Sequence, residues 1–176
     1  MTRIIKVLSV SLLLAALVSM IASCASQETY ERVTSEDCLV LIPTEIVGTD
    51  GLQLTRDYFL HFSDGQKRRK ISKVKDDLLP VIISGDGVAI SSLSSSVSSG
   101  GQHNVVGGTT EFPLDLALPY APGKVVVYEY TFVQSYEKTD GAHYLSRWGF
   151  NKTPEEKIPG YLAEFGQRPE AGSWTD

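Results

Sequence analysis

Cysteine is almost missing from this chain, whose 176 residues hold only Cys24 and Cys38. That shortage excludes a disulfide-built scaffold and a structural zinc site, which takes four ligands at short spacings. The three histidines, His61, His103 and His143, are scattered through the sequence without ligand spacing, so neither a metal nor a Ser-His-Asp arrangement is predicted from them. The Gly-x-Ser-x-Gly elbow that presents a hydrolase nucleophile is absent. So is the Asp-x-Asp-x-Asp-Gly loop that binds calcium, and Asp86 and Asp140, each followed by glycine, read as turn residues. The chain is predicted to be non-catalytic and to need no cofactor. Basic residues are outnumbered, 16 against 21 acidic, and a formal charge of −5 excludes general nucleic-acid binding, which needs a dominant positive field.

Charge is missing altogether between Lys6 and Glu28. Within that interval Arg3 and Lys6 precede an apolar run at 7–18, and small residues then lead to Cys24, the layout of a secretory signal. The four residues Ile21-Ala22-Ser23-Cys24 resemble the lipobox of bacterial lipoproteins: an aliphatic residue, two small ones and a cysteine. The resemblance covers only this targeting segment. It implies that diacylglycerol is attached to the Cys24 thiol, that residues 1–23 are removed, and that the new amino terminus is acylated with a fatty acid such as palmitate. In members from diderm bacteria, aspartate after the cysteine favours inner-membrane retention; Ala25 at that position implies the outer membrane. The rival reading is an uncleaved signal anchor, because the uncharged interval approaches the roughly 20 residues that span a bilayer. Against it, the apolar density falls after Val18 and serines interrupt at 19 and 23.

Removal of residues 1–23 from 176 leaves 153, enough for one domain with a substantial core. The leader takes two basic residues with it, so the remaining 14 against 21 acidic give a formal charge of −7. The chain divides into a signal peptide (1–23), a lipidated N-terminus with a flexible polar tether (24–37), a β-domain (38–150), and a C-terminal extension packed on it (151–176). With Cys24 lipidated, Cys38 has no partner for an internal disulfide. Its neighbours Leu39, Val40, Leu41 and Ile42 make it a small buried side chain on a strand.

From Cys38 onward, short apolar or alternating runs are separated by turn residues, and Asp-Gly occurs four times, at 50, 64, 86 and 140. Residues 38–47 are apolar on both faces and predict a buried strand that bends or restarts at Pro43. Tyr58, Leu60 and Phe62 share a face, and Asp64-Gly65 joins that run to 67–74 in the best hairpin signal of the chain. Phe112, Leu114, Leu116 and Leu118 alternate with polar or small residues, as in a half-buried strand. Val126, Tyr128, Tyr130 and Phe132 form the strongest apolar face, predicted to lie centrally. Pro119, Pro122 and Gly123 deliver this run, so 112–133 reads as a hairpin or a crossing between two sheets. The serine-rich stretch 91–101 predicts a flexible loop. Thr153, Pro154 and Glu156 match a capping box opening a short helix that Pro159-Gly160 limits. Together these signals predict an all-β fold, an antiparallel β-sandwich of immunoglobulin-like or transthyretin-like type, with a short C-terminal helix. A closed barrel is the alternative.

Two clusters stand out as candidate partner-binding sites. Lys67, Arg68, Arg69, Lys70, Lys73 and Lys75 put six basic residues in nine positions of an acidic protein. They suit an acidic partner or lipid headgroups, or else guard a sheet edge against pairing. Aromatic residues gather near the C-terminus, with Trp148 and Trp174 the candidates for a partner or carbohydrate surface and packing the competing role. The functional expectation is a lipid-anchored, non-catalytic binding or structural module of the cell envelope, meeting a protein or envelope component. The alternative is a carrier of a small apolar ligand in the periplasm or at the outer membrane. An enzyme would require two or more of His61, His103, His143, Asp86 and Asp140 to converge.

Overall fold

The computed structural model describes residues 30–48, 56–65, 69–71, 76–97, 110–138 and 144–174. Its strands are β1 (Cys38–Val47), β2 (Arg56–Phe62), β3 (Arg69–Lys70), β4 (Asp77–Ile83), β5 (Ala89–Val97), β6 (Thr110–Ala117), β7 (Val125–Val127), β8 (Tyr130–Lys138) and β9 (Tyr144–Lys152). A 3-10 turn at Glu155–Lys157, helix α1 (Ile158–Phe165) and a 3-10 segment at Pro169–Trp174 follow. One sheet runs β4-β1-β8-β9, with β7 also paired to β1, and the other runs β3-β2-β5-β6. The all-β, two-sheet expectation with a short C-terminal helix therefore holds.

The strand alternation predicts the interior well. Tyr58, Leu60 and Phe62 from one sheet meet Val40, Ile42, Val81, Tyr128 and Phe132 from the other, all buried. Tyr58 and Phe132 cross edge to face with ring centroids 5.9 Å apart, and the Tyr58 hydroxyl lies 2.8 Å from Ser146 Oγ on β9, a polar tie between the sheets. On the far side Phe112 of β6 packs against Trp148 of β9 at 5.1 Å.

β1 is the strand buried on both faces. Cys38, Val40 and Ile42 point into the sandwich, while Leu39 and Leu41 point outward into a second cluster with Leu78, Phe165, Ala171 and Trp174. Burial of a leucine stabilises by about 1.5–3 kcal/mol, so the outer face of β1 favours any segment able to cover it. The C-terminal extension is that cover.

β1 does not restart at Pro43 but runs through it as one strand; the interruption lies in the neighbouring strand. β1 is parallel to β7 and β8, the one departure from antiparallel pairing. Leu41 aligns with Val127 and Thr44 with Phe132, so the partner takes five steps where β1 takes three. Pro43 lies opposite this break, where its missing N–H removes no ladder bond. The looped-out backbone is satisfied by Thr153, just past β9. The Thr153 N–H donates to the Glu129 carbonyl at 2.7 Å, and its hydroxyl donates to the Tyr128 carbonyl at 3.1 Å. Thr153 is thus not the helix cap that the sequence suggests. The helix also starts later than expected, because Pro159 sits in the first turn of α1, where its lost N–H is harmless, and opens the helix it was predicted to limit.

Two further expectations change. Serines 91–97, read as part of a flexible loop, belong to β5, an inner strand between β2 and β6. Ser92, Ser94 and Ser95 are buried because a serine is small and its hydroxyl can be paired locally: Ser94 Oγ lies 2.8 Å from His61 Nε2, and Ser92 Oγ donates to Glu111 at 2.6 Å. Residues 98–101 of the same stretch lie outside the described residues. Residues 30–37, read as tether, belong to the folded body. The Trp174 indole donates to the Tyr30 carbonyl at 2.7 Å, and the Arg32 N–H donates to Ser173 Oγ at 3.0 Å. Asp37 then accepts from the Val33 and Thr34 N–H groups and from Ser84 Oγ, at 2.9, 2.7 and 2.7 Å.

The crossing reading of 112–133 is the one realised: β6 lies in one sheet and β7 in the other. Gly123 in the connecting turn has φ +71°, and a Cβ there would approach Arg32 Nη2 to 2.9 Å, so glycine serves both the turn and the close approach. An antiparallel pair follows Asp64-Gly65 as expected, with Leu60 opposite Arg69 and Phe59 opposite Lys70, but the strand expected over 67–74 is described only as Arg69–Lys70, with 66–68 and 72–75 outside the described residues. The Asp-Gly pairs at 50 and 140 lie outside the described residues.

Thr153→Val is expected to leave the Tyr128 carbonyl unsatisfied in a buried setting and to cost about 1–3 kcal/mol, seen as a lower urea midpoint at unchanged slope. An unchanged midpoint would remove Thr153 as the tie. Asp37 gives a pH signature. Burial pushes its carboxyl up, but the hydrogen bonds from Ser84, Thr34 and Val33 together outweigh this and hold it below its usual value. A carboxyl depressed by folding contributes stability above its unfolded value, near pH 4, and loses that contribution as the pH falls through the folded value. Urea midpoints measured below about pH 4 should therefore fall less steeply for Asp37→Asn than for the parent; identical acid limbs would refute the assignment.

Candidate functional site

Of the six-residue basic cluster, the two residues that the structure describes, Arg69 and Lys70, lie on a sheet edge. β3 ends its sheet next to β2, and its two residues are Arg69 and Lys70. Lys70 shares the outer face with its neighbours: Nζ lies 3.2 Å from Asp57 Oδ2 and 6.0 Å from the Phe59 ring centroid. Lys70 is open to solvent while Asp57 is largely buried, so the contact holds the lysine against the outer face of β2. Arg69 lies on the opposite side of the strand, its guanidinium carbon 5.9 Å from the Tyr30 ring centroid. Lys67, Arg68, Lys73 and Lys75 lie outside the described residues. Both readings of the cluster draw support from this placement, because an edge strand is where lysine blocks sheet pairing and also where a charged surface is open to a partner.

The two tryptophans are not brought together. Trp148 is half-buried on β9 against Phe112, at the sheet edges remote from β3. Trp174 is 6% exposed, its ring packed over Leu39 and Leu41 and its N–H given to Tyr30. It therefore offers no surface to a partner, and its candidacy is corrected to a structural role. Phe165 and Tyr161 belong to the same cover, whereas Phe150 packs into the sandwich 5.3 Å from Phe132. The aromatic concentration of the C-terminal third thus divides between two packing tasks.

The sequence gives no signal for the polar outer face of the second sheet. There His61 on β2, Ser92 and Ser94 on β5 and Glu111 on β6 form two cross-strand pairs. The 2.8 Å spacing of His61 and Ser94 is that of a base and a nucleophile. Ser94, however, is 3% exposed, so a substrate carbonyl has no path to its oxygen. The pair does what cross-strand hydrogen bonds do: it satisfies a small polar side chain beneath larger neighbours. Strand alternation places these residues on one face, but only the pairing register reveals that they touch.

Of the five residues whose convergence an enzyme would need, His61 and Asp86 are described. Asp86 accepts the N–H of Gly87 within its own turn at 2.8 Å, while His61 is engaged by Ser94. His103, His143 and Asp140 lie outside the described residues. Among the described residues, no group of three or more His, Cys, Asp or Glu side chains is placed to hold a metal ion. Two further titrating groups are shifted by burial. Burial pushes the Cys38 thiol up, against a weak opposing hydrogen bond from the Ala121 N–H, making it a poor nucleophile. Burial, followed by the charge of Glu129, pushes the Tyr128 phenol up to about 12.

Trp174→Ala should cost about 3–5 kcal/mol in chemical denaturation, as removal of a large buried aromatic does. A change below about 1 kcal/mol would return Trp174 to the list of surface residues.

Comparison with known proteins gives no match for this chain among protein-family models, curated proteins or solved structures.

Proposed function

We propose that this chain is a lipid-anchored protein of the bacterial cell envelope, held through Cys24 at the outer membrane, whose β-sandwich is a non-catalytic binding or structural module. The observation that carries this reading is the sequence Ile21-Ala22-Ser23-Cys24 at the end of an apolar leader. The fold supports it in one way: the other cysteine, Cys38, is fully buried on an inner strand, which leaves Cys24 as the thiol that can be modified.

Among the described residues, Tyr58, Tyr128, Phe132, Leu60 and Leu93 are buried between the sheets. This favours binding through the surface over carriage of an apolar ligand inside. Among the described residues, His61, Ser92, Ser94 and Glu111 are engaged in cross-strand pairs and Asp86 in its own turn, which favours a scaffold over a catalyst.

Intact mass spectrometry of protein extracted from its host membrane tests the anchor. The expected species starts at Cys24 and carries the added mass of a diacylglyceryl group and an amide-linked acyl chain. Cys24→Ser should lose that mass and keep residues 1–23. A parent protein that retains residues 1–23 without added lipid would replace this reading with a spanning signal anchor.

A further inference from the structure

We infer that this protein pairs with a second copy of itself along the free edge of β9, the two strands running antiparallel about a two-fold axis at Gly149. Among the described residues β9 ends its sheet, with β8 on one side and no strand on the other. Its ladder with β8 runs unbroken over the whole of Tyr144–Lys152. Just beyond, the Thr153 N–H donates to the Glu129 carbonyl, so at two-residue steps Asn151, Gly149 and Arg147 also turn their main-chain groups to β8. Ser146, Trp148, Phe150 and Lys152 turn theirs outward, a row of donors and acceptors open to another strand.

The other described edges are guarded against such pairing. The Tyr128 N–H donates to the Leu41 carbonyl, which leaves Pro80 of β4, opposite Leu41, facing outward with no N–H to offer. The Leu78 N–H, on the same side of β4, is given to Asp77 Oδ1 at 2.8 Å. β6 carries Pro113, a register shift and the exposed carboxylates Glu111 and Asp115, and β3 is described over two residues only. β9 has no proline, no register shift and no acidic residue.

Gly149 adds an independent sign. Glycine inside a strand weakens it, yet nothing in the single chain calls for one here: its φ is not positive, and a Cβ would meet nothing within 4 Å. A strand glycine without a local reason marks a place where another backbone comes close.

The strand is also complementary to itself. With Gly149 on the axis, the two glycines form a non-hydrogen-bonded pair, whose Cα atoms approach to about 4.5 Å. Trp148 falls opposite Phe150 of the second copy, twice by symmetry, each pair exchanging both main-chain hydrogen bonds and covering half-exposed rings with one another. On the outer face the exposed Arg147 falls opposite the exposed Asn151, a guanidinium against a carboxamide oxygen, and Lys152 falls opposite Ser146. No charge faces a like charge, and two net-acidic chains join through a strand that carries no carboxylate. These matches lie in the chain's own sequence, which makes a second copy the occupant and not a foreign strand.

The test uses the full chain purified from its host in mild detergent, with light scattering reporting the protein mass at roughly 100 µM, enough to populate a dimer of micromolar dissociation constant. The parent should have twice the chain mass. Gly149→Lys, whose side chain has open space in the single chain, sets like charges against each other on the axis and should raise the dissociation constant about tenfold or more, while the neutral Gly149→Ser stays dimeric. A monomeric parent, or a Gly149→Lys variant that stays as dimeric as the parent, overturns the inference. Gly149→Cys asks the same question without a charge. Under copper-phenanthroline oxidation in the host membrane it should give a covalent dimer above the background set by the parent's own cysteines, whereas Asn151→Cys, displaced from the axis by two residues on each strand, should not. No cross-link above background from Gly149→Cys, or equal cross-linking from both variants, overturns the pairing.

Discussion

Burial of β1 on both faces is the constraint on which the rest of the molecule depends. A strand with leucines on one side and Cys38, Val40 and Ile42 on the other needs two covers, and a single second sheet supplies only one. The remaining cover is assembled from the two ends of the folded chain: Tyr30 near the start, and Phe165, Ala171 and Trp174 near the finish. The hydrogen bond from Trp174 to Tyr30 joins these ends over the outward leucines. Entry and exit of the chain are thereby coupled to the same cluster, so a change in the C-terminal extension also reaches the point where a membrane tether would begin.

The same economy appears where β7 and β8 pass alongside β1. Two surplus residues in the partner strand break a parallel ladder, and a broken ladder inside a sheet leaves peptide groups that must find partners. Thr153 provides them with its own main chain and hydroxyl, and it does so at the point where β9 ends and the extension begins. One buried threonine thus repairs the sheet.

Local patterning made the strand-rich fold legible. Alternation identified Tyr58, Leu60 and Phe62 as a core face, and the two-sided apolar run at 38–47 identified an inner strand. The pairing of β2 with β3 was legible because Asp64-Gly65 is a turn signal between neighbouring runs. The serines of β5 were illegible because composition counts hydroxyls as solvent-loving, whereas their burial rests on partners: His61 lies 33 residues earlier for Ser94, and Glu111 lies 19 later for Ser92. Trp174 was misassigned for a related reason: nothing near it in sequence shows that Leu39 and Leu41 lack a cover. Of the candidate site, the basic run was visible as charge density, but its contact with the chain entry at Tyr30 was not.

What the sequence determined by itself is what depends on near neighbours: the strand periodicity, the turns and the charge density of the basic run. Tertiary structure alone decided the parallel alignment of β1 with β8, the pairing of buried serines, and the use of both chain ends to close the outer face of β1. The physical reason is that hydrophobic burial and hydrogen-bond satisfaction are settled between surfaces, and the surface that needs a partner is often far in sequence from the segment that supplies it.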